Sequence, residues 1–135
     1  MAIRYELTQD LVTGNTLIDS EHRQLFDAIN KLMDACSGGK GRDQIMSTAK
    51  FLSDYVNKHF GDEERLQVNS KYPNYQAHRQ FHEQYKQQLA QVNQSLVVEG
   101  PTVKALGDLN RIVGVLVAHI RVEDKKLAAH VRQAQ

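Results

Sequence analysis

The chain of 135 residues has no tryptophan, a single cysteine and two prolines, and its charges nearly cancel. One cysteine, Cys36, excludes an internal disulfide framework and fits a reducing compartment, where it would act as a small apolar residue near a helix end. No apolar run approaches the roughly 20 residues that cross a bilayer, and the first residues lack the apolar core of a signal peptide. With a net charge of +1 and scattered basic residues, nucleic-acid binding is not expected. These absences favour a cytoplasmic protein without membrane or nucleic-acid partners.

Apolar residues recur at helical spacing in four segments, which fit one domain over residues 1–135. We predict helices at residues 19–37, 42–66, 73–97 and 103–131. Helices of this length with short connections indicate an all-α fold, an antiparallel up-down-up-down four-helix bundle. Residues 1–18 lack a helical period and are predicted to form an extended N-terminal arm that packs on the bundle. Its apolar and aromatic side chains are Ile3, Tyr5, Leu7, Leu11, Leu17 and Ile18.

The predicted helix ends follow from capping and breaking residues. Asp19 is of a type that caps helix N-termini, and the glycines within residues 37–41 are expected to end the first helix. Residues 67–71 interrupt the apolar stripe of the second helix and are predicted to end it. Pro73 fits the first turn of the third helix, and Gly100 with Pro101 separates the third helix from the fourth.

Five of the six histidines and two carboxylates fall at one end of this predicted bundle. They lie near the starts of the first and third helices and near the ends of the second and fourth, positions that meet in an antiparallel bundle. Each histidine continues the apolar stripe of its helix and is therefore expected to face inward. The candidate ligands are His22, His59, Glu63, His78, His82, His119 and Asp124.

Imidazole nitrogen and carboxylate oxygen together are ligands that suit iron. Without partners, each buried polar group would cost about 1–3 kcal/mol, against a total stability of only ~5–15 kcal/mol. Metal ligation supplies these partners, although manganese or zinc could occupy the same ligands. Five imidazoles and two carboxylates are too many for one ion and suit two. If both carboxylates and a solvent-derived oxygen bridge, one ion is six-coordinate and the other keeps an open position for a small ligand.

Four motifs resemble the hemerythrin family, and together they cover nearly the whole chain. They are Thr13-Gly14 with Ile18-Asp19-x-x-His22, His59-Phe60-x-x-Glu63-Glu64, Tyr72-Pro73 with His78-x-x-x-His82, and His119-Ile120-x-x-x-Asp124. The resemblance implies a non-haem di-iron centre that binds dioxygen reversibly. It assigns His78, His82 and His119 to one iron and His22 and His59 to the other, with Glu63, Asp124 and an oxo or hydroxo group as bridges. It also implies that Leu25, Phe60, Leu116 and Ile120 wall the open position. Many members carry a tryptophan in the arm, where this chain has Leu7.

The spacing of His119 and Asp124 conflicts with a regular helix. Five residues leave the two side chains about 140° apart, whereas Glu123 would share the face of His119. Periodicity alone favours Glu123, but the family pattern selects Asp124. We therefore predict a π-type bulge or a local distortion between His119 and Asp124.

Several neighbours of the candidate ligands are interpreted separately. Glu64 is read as a solvated surface acid rather than as a partner of a ligating group. Tyr55 and Tyr85 lie inward, where hydrogen bonding to a ligating group and simple packing are both open. His130 falls outside the histidine pattern and is expected to be exposed.

The favoured function is dioxygen carriage, storage or delivery by a monomeric protein that is not an enzyme and that could supply an oxygen-consuming enzyme. A lone domain without a signalling module favours carriage over sensing. The alternatives are a di-iron oxidase, peroxidase or nitric-oxide-handling enzyme, and a sensor of oxygen or iron. An acid or base in the wall of the open position would favour the enzyme, and the four wall residues are apolar.

Overall fold

The computed structural model describes residues 5–38 and 41–134, with Arg42 described by its backbone alone. Every regular element in these residues is helical. They are a 3-10 turn at Gln9–Leu11, α1 at Thr16–Ser37, α2 at Arg42–Ser70, α3 at Tyr75–Glu99, α4 at Val103–His119, a π-helical turn at Ile120–Asp124, and α5 at Lys125–Ala134. The last three form one continuous fourth helix. Because α1 packs on α2, α2 on α3 and α3 on α4, the all-α four-helix bundle is confirmed.

The first helix begins three residues before the predicted start. Asn15, not Asp19, is its N-cap, and the Asn15 side chain accepts the Ile18 N–H at 3.0 Å. Asp19 lies inside α1, where its buried carboxylate accepts the Thr13 N–H at 2.9 Å, the Thr13 hydroxyl at 2.8 Å and the Gly14 N–H at 3.1 Å. The prediction of Asp19 as the cap was wrong because its side chain holds the preceding turn instead.

The second helix ends at Ser70, within the predicted breaking stretch of residues 67–71 but four residues beyond the predicted boundary at residue 66. Gln67 is fully buried within α2, and the helix stops at Lys71, which adopts a left-handed conformation with φ 58°. The third helix then starts at Tyr75, two residues after Pro73. Apolar periodicity alone underestimates the length of α2, because a polar residue such as Gln67 on the buried face interrupts the periodic pattern.

The π-helical turn predicted between His119 and Asp124 is confirmed at Ile120–Asp124. A π turn holds one residue more than an α turn. Ile120 and Asp124 are both buried, whereas Arg121 and Val122 are exposed. The extra residue therefore lets the helix present His119 and Asp124 to the interior together.

Apolar side chains form two buried clusters along the bundle. The larger one occupies most of the interior and includes Leu25, Phe60 and Cys36, and burial raises the pKa of the Cys36 thiol. The smaller one contains Ile18, Tyr72, Leu127, Ala128 and Val131. Along α1 the buried His22 lies between Ile18 of the smaller cluster and Leu25 of the larger one, so a polar layer separates the two.

Residues 5–15 lie against the bundle before α1 begins. The Tyr5 backbone N–H donates to the Asn30 side chain, which donates in return to the Tyr5 carbonyl, each at 2.8 Å. Asp10 pairs with Arg121 of the π turn at 3.1 Å. Leu7 packs half-buried against the larger cluster and Leu11 is buried, whereas Leu17 is a residue of α1 and is 44% exposed. The predicted roles of Ile3 and of residues 39–40 lie outside the described residues.

None of the helices in the described part of the chain combines the length and the apolar character needed to cross a membrane.

Candidate metal centre

Each of the four helices of the bundle brings one or two of the predicted ligands into a single buried layer. His22 comes from the first half of α1, while α2 and α3 each contribute a pair of residues four apart. The end of α4 and the end of the π turn supply the last two. All seven are at most 7% exposed: His22, His59, Glu63, His78, His82, His119 and Asp124.

The ligand atoms of these side chains form two groups, within each of which every atom lies within 4.8 Å of the others. One group is His78, His82 and His119, and the other is His22, His59, Glu63 and Asp124. The sequence prediction placed all seven residues together, and the structure brings all seven together. Their meeting at alternate helix ends supports an antiparallel bundle, which stays a prediction.

Asp124 faces histidines of both groups. Its Oδ2 lies 3.0 Å from Nε2 of His22, and its Oδ1 lies 3.1 Å from Nε2 of His78 and 3.2 Å from Nε2 of His119. The carboxylate therefore turns one oxygen toward each group.

Glu63 of α2 is arranged in the same way. Its Oε2 lies 3.4 Å from Nε2 of His59, and its Oε1 lies 3.2 Å from Nε2 of His82. Each of the two carboxylates therefore lies between the two groups of imidazoles.

The outward nitrogens of two of the histidines are held by further carboxylates. His59 Nδ1 lies 2.9 Å from Glu21 Oε1, and Lys58 donates to the other oxygen of Glu21 at 2.9 Å. His82 Nδ1 lies 3.0 Å from Glu64 Oε2. Such carboxylates fix the tautomer in which Nδ1 carries the proton and Nε2 is free to bind a metal.

Two aromatic rings stack on histidines of the cluster. The Phe60 ring stacks on His82 with 3.8 Å between ring centroids and 4° between planes. Phe81 stacks on His119 at 3.8 Å and 7°. The four predicted wall residues, Leu25, Phe60, Leu116 and Ile120, are at most 1% exposed and belong to the larger apolar cluster. Their role around an open position stays a prediction.

Several inward polar atoms have no hydrogen-bond partner. Both oxygens of Glu63 and the Nε2 atoms of His59 and His82 are buried without one. The Nε2 atoms of His78 and His119 face each other at 2.7 Å, a distance at which one must donate and the other accept. Buried polar groups normally have hydrogen-bond partners. A buried layer of nitrogen and oxygen atoms that lack such partners and face each other therefore fits a site for cations.

The charges in this layer shift its titrations strongly. Burial would lower the pKa of His59, but the charge of Glu63 and the hydrogen bond that His59 donates to Glu21 raise it to about 10. Burial and the nearby charge of Asp124 would raise the pKa of Glu63, but His59 and His82 lower it to about 2. The pKa of Asp124 is also well below its ordinary value, because hydrogen bonds from the surrounding histidines outweigh burial. In the metal-free protein the carboxylates stay anionic and a proton on His59 compensates part of their charge.

The family model described as the Hemerythrin HHE cation binding domain matches residues 13–131. The chain belongs to the hemerythrin family. It is similar to bacteriohemerythrins of Pseudomonas aeruginosa strain LESB58 (38% identical over 74 residues, 55% of this chain and 48% of the relative) and Methylococcus capsulatus strain Bath (31% over 83 residues, 62% and 63%). Over a longer stretch it is 24% identical to the bacteriohemerythrin of Campylobacter jejuni serotype O:6, across 122 residues, 89% of this chain and 90% of the relative. The match spans about half the length of the Pseudomonas relatives. A hemerythrin domain implies non-haem iron binding, and the buried cluster fits a metal site.

Within this hemerythrin domain, the structure separates the two acids that compete near the end of the fourth helix. The side chain of Glu123 is 42% exposed and lies 3.9 Å from Lys126, whereas Asp124 is 1% exposed and belongs to the ligand cluster. The π turn therefore overrides the regular periodicity that favours Glu123.

Two interpretations of neighbouring residues were wrong. Glu64 is not a solvated surface acid, because the register of α2 against α3 places its carboxylate on Nδ1 of His82. His130 is partly buried, and its ring lies 2.7 Å from the Ser70 carbonyl beside Tyr72. It lies on the same side of the helix as the smaller apolar cluster, so its polar ring packs at the edge of that cluster.

The two inward tyrosines contact residues other than the seven candidate ligands. The Tyr85 hydroxyl donates to the Ile112 carbonyl at 3.1 Å, and burial raises the pKa of this phenol. The Tyr55 ring stacks on Phe51.

Sequence reasoning missed Glu21 and Phe81. Both are sequence neighbours of ligand-type histidines, since Glu21 precedes His22 and Phe81 precedes His82. A metal-binding histidine commonly donates its second N–H to a carboxylate. Searching for such an acid on a neighbouring helix is the signal that would have found Glu21.

Proposed function

We propose that this hemerythrin-family chain binds dioxygen reversibly at a non-haem di-iron centre, for carriage, storage or delivery of the gas. The observation that carries the proposal is the placement of Glu63 and Asp124, each with one oxygen toward each histidine group. Two bridges of this kind suit two cations held side by side. The imidazole-rich donor set suits iron. It stabilises the reduced iron more than a donor set dominated by carboxylates would.

The two histidine groups are unequal, and this inequality creates room for a ligand. In the proposed assignment, His78, His82 and His119 hold one iron, and His22 and His59 hold the other. Glu63 and Asp124 would bind both irons, together with a solvent-derived oxygen. The second iron then has one protein ligand fewer than the first. When bound, the iron pair supplies the electrons and the open position that reversible dioxygen binding needs.

The surrounding side chains prepare the layer for this role. Glu21 accepts the Nδ1–H of His59 and so keeps Nε2 free, while Lys58 offsets the charge of Glu21 at the surface. The apolar wall of Leu25, Phe60, Leu116 and Ile120 excludes water. Excluding water keeps protons away from bound dioxygen, which favours its release unchanged. With four apolar wall residues and no acid or base among them, binding is favoured over an oxidase, peroxidase or nitric-oxide-handling enzyme.

The proposal also covers the setting of the protein. We expect a monomer that handles the gas for an oxygen-consuming enzyme in the cytoplasm. A role as a sensor would require a partner that responds to the liganded state.

The test uses iron-loaded, reduced protein exposed to air, with iron counted per chain and the visible spectrum recorded before and after oxygen is removed. We expect two irons per chain and absorption bands that appear in air and disappear on deoxygenation. His59→Ala should abolish the bands, because it removes a ligand from the iron with the open position. His130→Ala is the matched control and should leave them unchanged, since His130 lies against Ser70 and Tyr72.

Two outcomes would contradict the proposal. Normal oxygen uptake by the His59→Ala protein would overturn the assignment of the open position. Rapid turnover with consumption of peroxide, instead of a stable reversible adduct, would favour the enzyme.

A further inference from the structure

The fully buried side chain of Gln67 has no partner for either of its polar atoms. It is 0% exposed, and both Oε1 and Nε2 lack a hydrogen bond. Gln67 follows Glu63 by one helical turn on α2, next to the layer of candidate ligands. A carboxamide in such a position is costly unless another group satisfies it. Because helical side chains lean toward the N-terminus of their helix, that of Gln67 leans toward the turn that carries Glu63.

The face of α2 on which Gln67 lies points toward α3. Four residues advance a helix by one turn and about 40°, so Gln67 is rotated from Glu63 to the same side as Phe60 and Glu64. Phe60 and Glu64 both contact His82 of α3. On the opposite side of Glu63, His59 contacts Glu21 of α1.

The register between α2 and α3 then selects the facing residue. Contacts between these helices run in opposite order along the chain, since Ala49 meets Asn93, Glu64 meets His82, and Tyr72, just beyond α2, meets the ring of His78. Three residues forward along α2 are about 4.5 Å, and four residues back along α3 are about 6 Å. Gln67 is therefore expected to face His78 across the two helices in the way that Glu64 faces His82.

The outward nitrogen of His78 matches the need of Gln67. His78 Nδ1 is buried and has no partner, while Nε2 of the same ring faces Asp124 at 3.1 Å. His82 shows the corresponding pair completed, with Nδ1 on Glu64 at 3.0 Å.

We propose that Gln67 is a positioning residue of the metal centre. When a metal takes Nε2 of His78, the proton of that ring lies on Nδ1, and the side-chain oxygen of Gln67 accepts it and so holds Nε2 toward the metal; without the metal neither side chain has this partner. This inference rests on the proposed function, because it needs His78 to be a ligand. The carboxamide is neutral, so it fixes the ring without adding a third carboxylate to the outer partners Glu21 and Glu64.

The experiment measures Co²⁺ binding by visible absorption and urea unfolding with and without Co²⁺. Gln67→Met removes the acceptor at similar volume, and Gln67→Glu keeps an acceptor oxygen. We expect Gln67→Met to weaken cobalt binding about 10–100-fold, the usual effect of losing an outer partner of a ligating histidine. The metal-free form should be at least as stable as the parent, because it no longer buries an unpartnered amide. Gln67→Glu should keep most of the affinity.

Asn93→Leu is the matched control, a buried amide at the far end of the same interface that contacts Ala49 and Ser53. It should shift stability equally with and without Co²⁺. Parent-like cobalt affinity in Gln67→Met would overturn the inference, as would an equal loss in Gln67→Glu or in Asn93→Leu. Failure of the parent chain to bind Co²⁺ would instead contradict the metal centre of the proposed function.

Discussion

Deletion of Val122 tests whether the π turn is a removable one-residue insertion. Val122 is 48% exposed and lies in the middle of Ile120–Asp124. Since a π turn contains one residue more than an α turn, its loss should leave a regular helix and keep α5 in place. Asp124 would then become the fourth residue after His119, on the same face of that helix.

The alternative outcome is large enough to measure. If the deletion instead shifted the register, every later residue would rotate by about 100° and move by about 1.5 Å. Leu127 and Val131, which are 0% and 6% exposed, would leave the smaller apolar cluster. Burying each such side chain contributes about 1.5–3 kcal/mol, so the loss would be about 3–6 kcal/mol of a total near 5–15 kcal/mol.

The assay is urea unfolding of the metal-free protein followed by circular dichroism, with deletion of Val115 as the control. Val115 is 37% exposed but lies in the regular part of α4, so its removal rotates His119, the π turn and α5 together. We expect the Val122 deletion to stay within about 1 kcal/mol of the parent, the scale of changes at the surface. The Val115 deletion should lose several times more. Equal losses in the two proteins would refute the description of the π turn as a removable insertion.

Three further predictions concern the titration of the site, the arm and the metal. The metal-free protein should lose stability as pH rises from 6.5 to about 10. The reason is that the pKa of His59 is about 10 in the folded chain and 6.5 in the unfolded chain, so only the folded chain binds this proton in that range. The slope should be on the order of 1.4 kcal/mol per pH unit in urea titrations at stepped pH, and a flat profile would contradict it. Asp19→Ala should lower the free energy of unfolding by about 2–4 kcal/mol, since it removes three hydrogen bonds that hold Thr13 and Gly14; a loss below about 0.5 kcal/mol would mean that this turn is not needed. Removing the metal with a chelator should lower Tm by on the order of 10 °C in calorimetry, because ligand binding stabilises only the folded chain, and an unchanged Tm would count against a metal held by the buried donors.

The sequence predicts the helices well where apolar residues repeat, and less well at helix ends. Asn15 and Asp19 are both suitable caps, and the choice between them depends on the turn at Thr13 and Gly14, which occupies the Asp19 carboxylate. The end of α2 was placed four residues too early because Gln67 is polar yet buried, a property that depends on tertiary packing and not on local pattern.

The candidate site was more predictable than the helix ends. Helical spacing alone places five histidines inward at one end of the bundle, because each continues an apolar stripe. Asp124 could not be chosen over Glu123 in this way, since the π turn changes the spacing that the argument assumes. The roles of Glu21 and Glu64 as partners of histidines were not predicted, for another reason. Their partners lie on neighbouring helices, so their roles depend on the register between helices, which no single helix determines.

The aromatic rings that stack on His82 and His119 have a consequence for how the protein exchanges its metal. Turning either imidazole over would require its plane to swing through the stacked ring of Phe60 or Phe81, which lies only 3.8 Å away. The stacked rings therefore oppose a turn of either imidazole while the protein stays folded. If these imidazoles bind the metal as proposed, a second ion would meet the same nitrogen atoms as the first, because the stacked rings hold both imidazoles in one orientation.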